Sequence, residues 1–159
     1  MTDQMTELHH YTNCGLDYVY LRNGFVVRET RHGRGIAIHD AAALHEAIAR
    51  VVITRPQRLR GQEVRFLRSL LKLSQDGLAR ILRTRRVSVA RWEARPNHPI
   101  PGAADSALRL FYALKLEKHG LAQQICEILA ELDDLEHSLH VMSDIRLRET
   151  ERGWQREAA

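Results

Sequence analysis

Three short segments with helical apolar spacing follow one another in the middle of this chain. The first, residues 61–72, repeats apolar residues at intervals of three and four. Ser74 is a favourable N-cap residue and predicts a second helix over residues 75–82. A break at residues 83–84 then predicts a third helix over residues 85–94. Helices this short are stable only when packed together, so the pattern predicts a compact three-helix core.

Residues 73–93 (LSQDGLARILRTRRVSVARWE) resemble the helix-turn-helix of lambda-repressor-like (XRE) regulators. Ala79 is a small residue at the place where two steeply crossing helices touch. Apolar residues stand where the family packs these two helices against the first: Leu78, Leu82, Val89 and Trp92. The family also typically has Ser-Gln at the start of the second helix and Arg-Trp-Glu at the end of the third, as this chain does. The resemblance implies a DNA-binding domain.

One residue departs from the family pattern. Arg83 stands in the turn where the family usually has a glycine with left-handed backbone. If that geometry is kept, a side chain at this position costs about 1 kcal/mol.

The resemblance also implies which side chains contact DNA. In the family the third helix lies in the major groove, where arginine can bond guanine and valine can contact a thymine methyl group. The implied base-reading residues are Arg86, Val87 and Arg91. The implied phosphate contacts are Gln75, Thr84, Arg85 and Ser88. For Arg85 and Arg91 the alternative is a solvated face or a salt bridge to Glu93.

Charge is distributed unevenly along the sequence. Residues 50–95 contain thirteen basic and three acidic residues, a net charge of +10. Residues 1–49 carry a net −2 and residues 103–159 a net −4. A basic middle between acidic flanks favours a polyanionic partner over the alternative, a merely solvated basic surface.

The first fifty residues predict a small α+β unit. Residues 17–22 and 25–30 are rich in aromatic and β-branched residues and flank Asn23-Gly24, a strong hairpin signal. A second turn over residues 31–35 leads into a short strand, residues 36–38.

A helix and a linker follow this strand-rich part. Asp40 is an N-cap candidate for a helix over residues 41–52, with Leu44 and Ile48 on one face. Residues 54–58 contain a proline and read as a polar linker between two modules.

The C-terminal part predicts two more helices, residues 103–119 and 121–146, and a frayed charged tail, residues 147–159. The last helix carries an apolar stripe with heptad spacing, which favours a dimer interface: Leu121, Ile125, Ile128, Leu132, Leu135, Leu139 and Met142. The alternative is that the stripe packs on its own domain. Glu131 and Glu136 flank the seam and disfavour a parallel coiled coil, so an antiparallel or bundle-like dimer fits better.

The order of modules also resembles the MqsA-type antitoxins, over about residues 15–118. In that family the N-terminal domain binds zinc through two Cys-x-x-Cys pairs, and this chain has only Cys14 in that region. Zinc is therefore not carried over from the resemblance. His9, His10 and Cys14 lack a fourth ligand, so no metal and no cofactor is expected.

Other functional classes have little support in the sequence. No nucleophile–base pair stands out, so an enzyme is not expected. No apolar run approaches the roughly 20 residues that a membrane helix needs. The start is unlike a secretory signal, which favours the bacterial cytoplasm.

These observations predict a mainly α protein with a small N-terminal α+β unit. The expected domains are residues 1–55, a strand-rich unit; 56–102, a helix-turn-helix core; 103–146, dimerisation helices; and 147–159, the tail. The expected function is that of a transcriptional repressor, which binds an inverted-repeat operator as a homodimer and regulates its own operon. The alternatives are an antitoxin that binds a toxin protein, and an N-terminal unit that serves only dimerisation or DNA contact through Arg28, Arg31 and Arg34.

Overall fold

The computed structural model describes residues 8–116, 120–121, 124–125, 128 and 144–157. The strands within these ranges are β1 (His9–His10), β2 (Val19–Leu21), β3 (Phe25–Thr30), β4 (Gly33–Ile38), β5 (Ile145–Thr150) and β6 (Gly153–Arg156). The helices with complete bounds are α1 (Ala41–Thr54), α2 (Gly61–Leu70), α3 (Gln75–Ile81), α4 (Arg86–Glu93) and α5 (Gly102–Lys115).

These elements form an α+β fold, so the prediction of a mainly α protein is wrong. The missed strands are the short β1 and the pair β5 and β6, the latter predicted as the end of the last helix and a frayed tail. Ile145, Leu147 and Trp154 are buried there, while the arginines between them are exposed. This alternation has the period of a strand, but the high charge of the segment concealed it.

The structure divides into two compact units, whose boundaries differ from the predicted ones. Unit 1 comprises Met1–Ile48 together with Ser143–Ala159, and unit 2 comprises Ala49–Met142. The division lies within α1 and not in the predicted linker over residues 54–58. The C-terminal strands belong to unit 1 because β5 pairs with β2.

Unit 1 contains a four-stranded sheet in the order β1-β2-β5-β6. β2 is antiparallel to β1 and parallel to β5, with Val19 opposite Ile145 and Leu21 opposite Leu147. β5 and β6 form an antiparallel hairpin. The two β2 residues and the two β5 residues named above are fully buried and form the core of the unit.

The prediction of a hairpin turn at Asn23-Gly24 is wrong. β2 pairs with β1 and β5, and β3 pairs instead with β4. The Asn23 side chain bonds the backbone of Glu149, donating to its carbonyl at 3.1 Å and accepting its N–H at 2.6 Å. Gly24, with a φ of +76°, lies against the ring of Trp154, where a β-carbon would come within 2.4 Å of ring atoms. Tertiary contacts with the C-terminal hairpin therefore determine this segment.

The hairpin β3–β4 forms a separate two-stranded sheet in unit 1. Its six cross-strand pairs run from Phe25 opposite Ile38 to Thr30 opposite Gly33, with Arg31 and His32 in the turn. No residue of either strand is buried. α1 follows, and the Ala43 N–H donates to the Asp40 carboxylate at 3.1 Å, which confirms the predicted N-cap.

The four predicted helices between residues 61 and 119 are present as α2 to α5, with starts and ends close to the predicted ones. Their core in unit 2 includes Val64, Leu67, Leu78, Val89 and Leu108, all completely buried.

A buried ion pair holds the segment that was predicted to be a linker. Arg109 of α5 is fully buried and donates to the Asp105 carboxylate at 3.1 Å. Arg109 also donates to the carbonyls of Ile53, Arg55 and Gln57, while Asp105 accepts the Leu59 N–H at 2.7 Å. Residues 53–59 are therefore anchored to α5.

Most of the predicted dimerisation stripe lies outside the described residues, including Leu132, Leu135, Leu139 and Met142. Leu121 and Ile128 are half-buried, and Ile125 is completely buried within the chain. The coiled-coil seam stays a prediction.

Candidate nucleic-acid interface

The segment that resembles a helix-turn-helix corresponds in unit 2 to α3 and α4, which pack against each other, with α2 packed against α4. Ser74 begins α3 as predicted, because its hydroxyl accepts the Gly77 N–H at 2.9 Å. Leu78, Ala79 and Val89 are buried at the positions where the resemblance expects packing. Leu82 and Trp92 are only half-buried.

The turn between α3 and α4 has the left-handed residue that the resemblance implies. Arg83 has a φ of +54°. The Thr84 N–H donates to the Ala79 carbonyl at 2.9 Å, and the Arg83 N–H donates to the Arg80 carbonyl at 3.3 Å. This pair of bonds is a Schellman motif, which satisfies the last carbonyls of α3 and directs the chain into α4. An arginine occupies the position at which glycine is usual.

A close backbone approach connects the start of α2 to the end of α4. A β-carbon at Gly61 would lie 2.0 Å from the Trp92 carbonyl oxygen and 2.6 Å from that of Arg95. Only glycine permits this distance. Gly61 could not be predicted as a contact residue, because nothing in its local pattern distinguishes it from an ordinary first residue of a helix.

An ion pair joins the same two helices. Arg68 of α2 donates to both carboxylate oxygens of Glu93, through Nε at 2.6 Å and Nη2 at 2.9 Å. Its Nη1 donates to the Leu73 carbonyl at 2.9 Å, and the Gln75 amide donates to Glu93 at 3.0 Å. Glu93 therefore ties α2, the start of α3 and the end of α4 together.

The protonation of Glu93 reflects these contacts. Burial raises its pKa, but the hydrogen bonds from Arg68 and Gln75 and the charges of Arg68 and Arg65 outweigh burial, and the net pKa is below its ordinary value. The hydrogen bond that Arg68 donates to the Glu93 carboxylate is the largest cause that raises the pKa of Arg68. Both groups are charged at neutral pH, so the link between the helices is ionic.

The three implied base-reading residues all lie at the surface of α4. Arg86 and Arg91 are exposed, and Val87 is 63% exposed although it is apolar. Val87 and Arg91 are four residues apart, so they share one face of the helix, and the buried Val89 faces the core. Glu93 pairs with Arg68 and not with Arg85 or Arg91. The other alternative for these two arginines, a solvated face, stays open.

The implied phosphate contacts lie at the ends of the two helices. Arg85 is exposed and is the N-cap residue of α4, with its carbonyl accepting the Ser88 N–H at 2.9 Å. Thr84 and Ser88 are half-buried. The side-chain amide of Gln75 donates a hydrogen bond to Glu93. The implied phosphate contact of Gln75 would therefore use its backbone N–H.

The residues considered for a metal site have other contacts. The His9 ring lies 5.0 Å from Phe25, and the His10 ring stacks on Tyr20 at 4.6 Å, both between centroids. Cys14 donates to the Tyr11 carbonyl at 3.7 Å. Among the described residues, no group of three histidine, cysteine or acidic side chains could hold a metal ion. Within the same residues, no helix combines the length and hydropathy needed to cross a membrane.

No family model, curated protein or solved structure matches this chain.

Proposed function

We propose that this chain is a sequence-specific DNA-binding repressor that binds an inverted-repeat operator as a homodimer. The observation that carries the proposal is the exposed surface of α4. Arg86, Val87 and Arg91 lie on this surface, and α2 packs against the same helix. Arginine reads guanine through two hydrogen bonds, and an exposed valine has an apolar contact available in a thymine methyl group.

The support around α4 suits recognition because it restricts the orientation of the helix. The Arg68–Glu93 ion pair and the Gly61 approach both act on the C-terminal end of α4, and the Schellman motif acts before its start. The net charge of +10 over residues 50–95 provides attraction to phosphate. Repression follows if a dimer over a promoter excludes polymerase, and the chain is then expected to regulate its own operon.

The first experiment measures the affinity of the full-length chain for DNA from upstream of its own gene. Fluorescence anisotropy is recorded at several salt concentrations, with a shuffled duplex of the same composition as control. We expect tighter binding to the upstream duplex by about 10³-fold or more. Equal affinities that both vanish at moderate salt would rule out specific recognition.

Two substitutions then separate base contacts from phosphate contacts. Arg86→Ala should cost about 1–3 kcal/mol on the operator and relax the preference at one base pair per half-site. Arg85→Ala is the matched control, a neighbouring arginine that should weaken all sequences alike and reduce the salt slope by about one. Identical profiles for both variants across an operator library would contradict the assignment.

A second candidate function is that of an antitoxin, favoured by exposed apolar residues of the hairpin β3–β4 in unit 1. Val26, Val27 and Ile36 are exposed there at 57%, 38% and 37%. The test is co-expression of the full-length chain with the product of a neighbouring open reading frame, scored by rescue of growth. A fragment ending at residue 55 is unsuitable, because it lacks the strands β5 and β6 of unit 1.

A further inference from the structure

Unit 1 contains the same hairpin twice. The sequence Arg-Glu-Thr-x-x-Gly occurs at residues 28–33 and again at residues 148–153. In both copies the threonine pairs with the glycine across the turn, as Thr30 with Gly33 and Thr150 with Gly153.

The two turns also share their side-chain hydrogen bonds. The Thr30 hydroxyl donates to the Gly33 carbonyl at 2.6 Å and accepts the His32 N–H at 3.3 Å. Thr150 makes the equivalent bonds to Gly153 at 2.8 Å and from Arg152 at 3.2 Å. Both glycines have a positive φ, +115° and +92°. The copies are therefore structurally equivalent hairpins.

Their surroundings differ. In β5–β6, the face that carries Ile145, Leu147 and Trp154 is buried. The edge of β5 that faces away from β6 pairs with β2. In β3–β4 the residues at the positions of Ile145 and Leu147 are Phe25 and Val27.

We call the face of β3–β4 that carries Phe25, Val27, Glu29, Arg34, Ile36 and Ile38 the hairpin face. Val27 and Ile36 form a cross-strand pair on it and remain 38% and 37% exposed. Among the described residues, the sheet of this hairpin has no third strand. Within the part of the chain that the structure describes, the face of β5–β6 is thus buried, whereas Val27 and Ile36 on the hairpin face stay exposed and only its Phe25 end lies near another ring, that of His9.

The hairpin face of one copy is complementary to the same face of a second copy. Its cross-strand pairs are Phe25 with Ile38, Val27 with Ile36, and Glu29 with Arg34. A two-fold axis parallel to the strands would place β3 of one copy over β4 of the other. Val27 of one copy then faces Ile36 of the second copy, and Glu29 of the first faces Arg34 of the second. The two-fold axis repeats both contacts with the copies exchanged, so apolar residues face apolar residues and acidic residues face basic ones.

We propose that the hairpin face is a self-association surface, which packs face to face against the same hairpin of a second copy of this chain. The inference rests on the homodimer of the proposed function and gives it a surface other than the predicted coiled-coil seam. Because the face is small, we expect weak association, with a Kd on the order of 10–100 µM, that strengthens when both copies bind one DNA site.

Sedimentation equilibrium of the full-length chain without DNA tests the surface. Val27→Lys should weaken self-association at least about tenfold, because it buries an unpaired charge. Val26→Lys is the matched control, since Val26 is 57% exposed on the opposite face of the same strand and its substitution should leave the mass distribution unchanged. Thermal melts of both variants check that unit 1 still folds.

A charge exchange makes the test specific to the two-fold arrangement. Glu29→Arg and Arg34→Glu should each weaken self-association, because each brings like charges together across the axis. An equal mixture of the two variants should associate at least as well as wild type, since one copy then presents two bases and the other two acids.

Three outcomes would overturn the proposal. The first is that the wild-type chain stays monomeric up to about 500 µM, which is well above the expected Kd. The second is that self-association survives Val27→Lys. The third is that the equal mixture of the two charge-exchanged variants does not recover self-association. A loss of DNA affinity on Val27→Lys with unchanged self-association would also overturn it and would assign the hairpin to DNA contact. Since the measurement contains no DNA, its failure is distinct from a failure of operator binding.

Discussion

Arg68 and Glu93 are 25 positions apart in sequence and form a two-bond ion pair, with N–O distances of 2.6 and 2.9 Å. The side chains are 17% and 7% exposed, so water screens the pair only weakly. The pair fixes the end of the implied recognition helix to the helix behind it. The Gln75 amide shares the same carboxylate.

Replacing Arg68 by methionine should destabilise unit 2 by about 3 kcal/mol, because it leaves the Glu93 carboxylate buried without its cation. Glu93→Gln and the double variant complete a cycle that isolates the pair, measured by urea unfolding. If the double variant loses the sum of the two single losses, the residues do not interact.

The same pair predicts a dependence on acid. Since the pKa of Glu93 is lowered in the folded chain, its contribution to stability is complete above its ordinary pKa and is lost as the pH falls through the lowered value. Glu93→Gln should lack this part of the acid transition.

Replacing Arg83 by glycine should stabilise unit 2 by about 0.5–1 kcal/mol, because glycine adopts the positive φ of the Schellman motif without the cost of a β-carbon. Arg83→Ala removes the same charge but keeps the β-carbon, so it should not stabilise the fold. Equal gains from both variants would attribute the effect to charge and contradict the backbone explanation. Urea unfolding of the three proteins under identical conditions distinguishes these results.

Gly61→Ala should destabilise unit 2 by about 3 kcal/mol or more, because the new methyl group would overlap the carbonyls of Trp92 and Arg95. The control is Gly102→Ala in the first turn of α5, where no heavy atom lies within 4 Å of the new carbon. The control should be neutral or slightly stabilising. The two variants are compared by thermal unfolding, and a tolerated Gly61→Ala would disprove the close approach.

The pair Tyr11–His45 predicts a loss of stability in mild acid. Burial lowers the pKa of His45, whose Nε2 lies 2.9 Å from the Tyr11 hydroxyl. The unfolded chain takes up this proton near pH 6.5, which is earlier than the folded chain, so stability falls as the pH drops through this region towards the lowered pKa. His9 contributes in the same direction, since burial and the charge of His10 lower its pKa as well.

The measurement is the free energy of unfolding between pH 8 and pH 5, roughly spanning the histidine range. His45→Gln should reduce the loss across this interval, and His32→Gln in the exposed turn is the matched control. An unchanged slope in His45→Gln would show that His45 does not report folding.

Much of unit 2 could be predicted from the sequence because its signals are local. The Ser74 cap, the apolar spacing around Leu78 and Val89, and the break at Arg83 all act within one or two helical turns. The exposure of Arg86, Val87 and Arg91 follows from the same periodicity. Helical hydrogen bonds connect residues four apart, so a short window of sequence contains the necessary information.

Unit 1 could not be predicted in the same way, because its pairing joins the two ends of the chain. Nothing near Asn23-Gly24 indicates that Asn23 bonds Glu149 or that Gly24 lies under Trp154. The burial of Arg109 is equally hard to predict, since three of its acceptors are carbonyls more than fifty residues away.

By itself, the sequence determined the caps, the helical periods and the charged surface of α3 and α4, because hydrogen bonding and burial along a helix depend on near neighbours. Tertiary structure alone decided the partner of β2, the need for glycine at position 61 and the Arg68–Glu93 connection. These depend on which distant backbone and side-chain atoms come together, and a strand or an arginine can pair with many partners until the fold selects one.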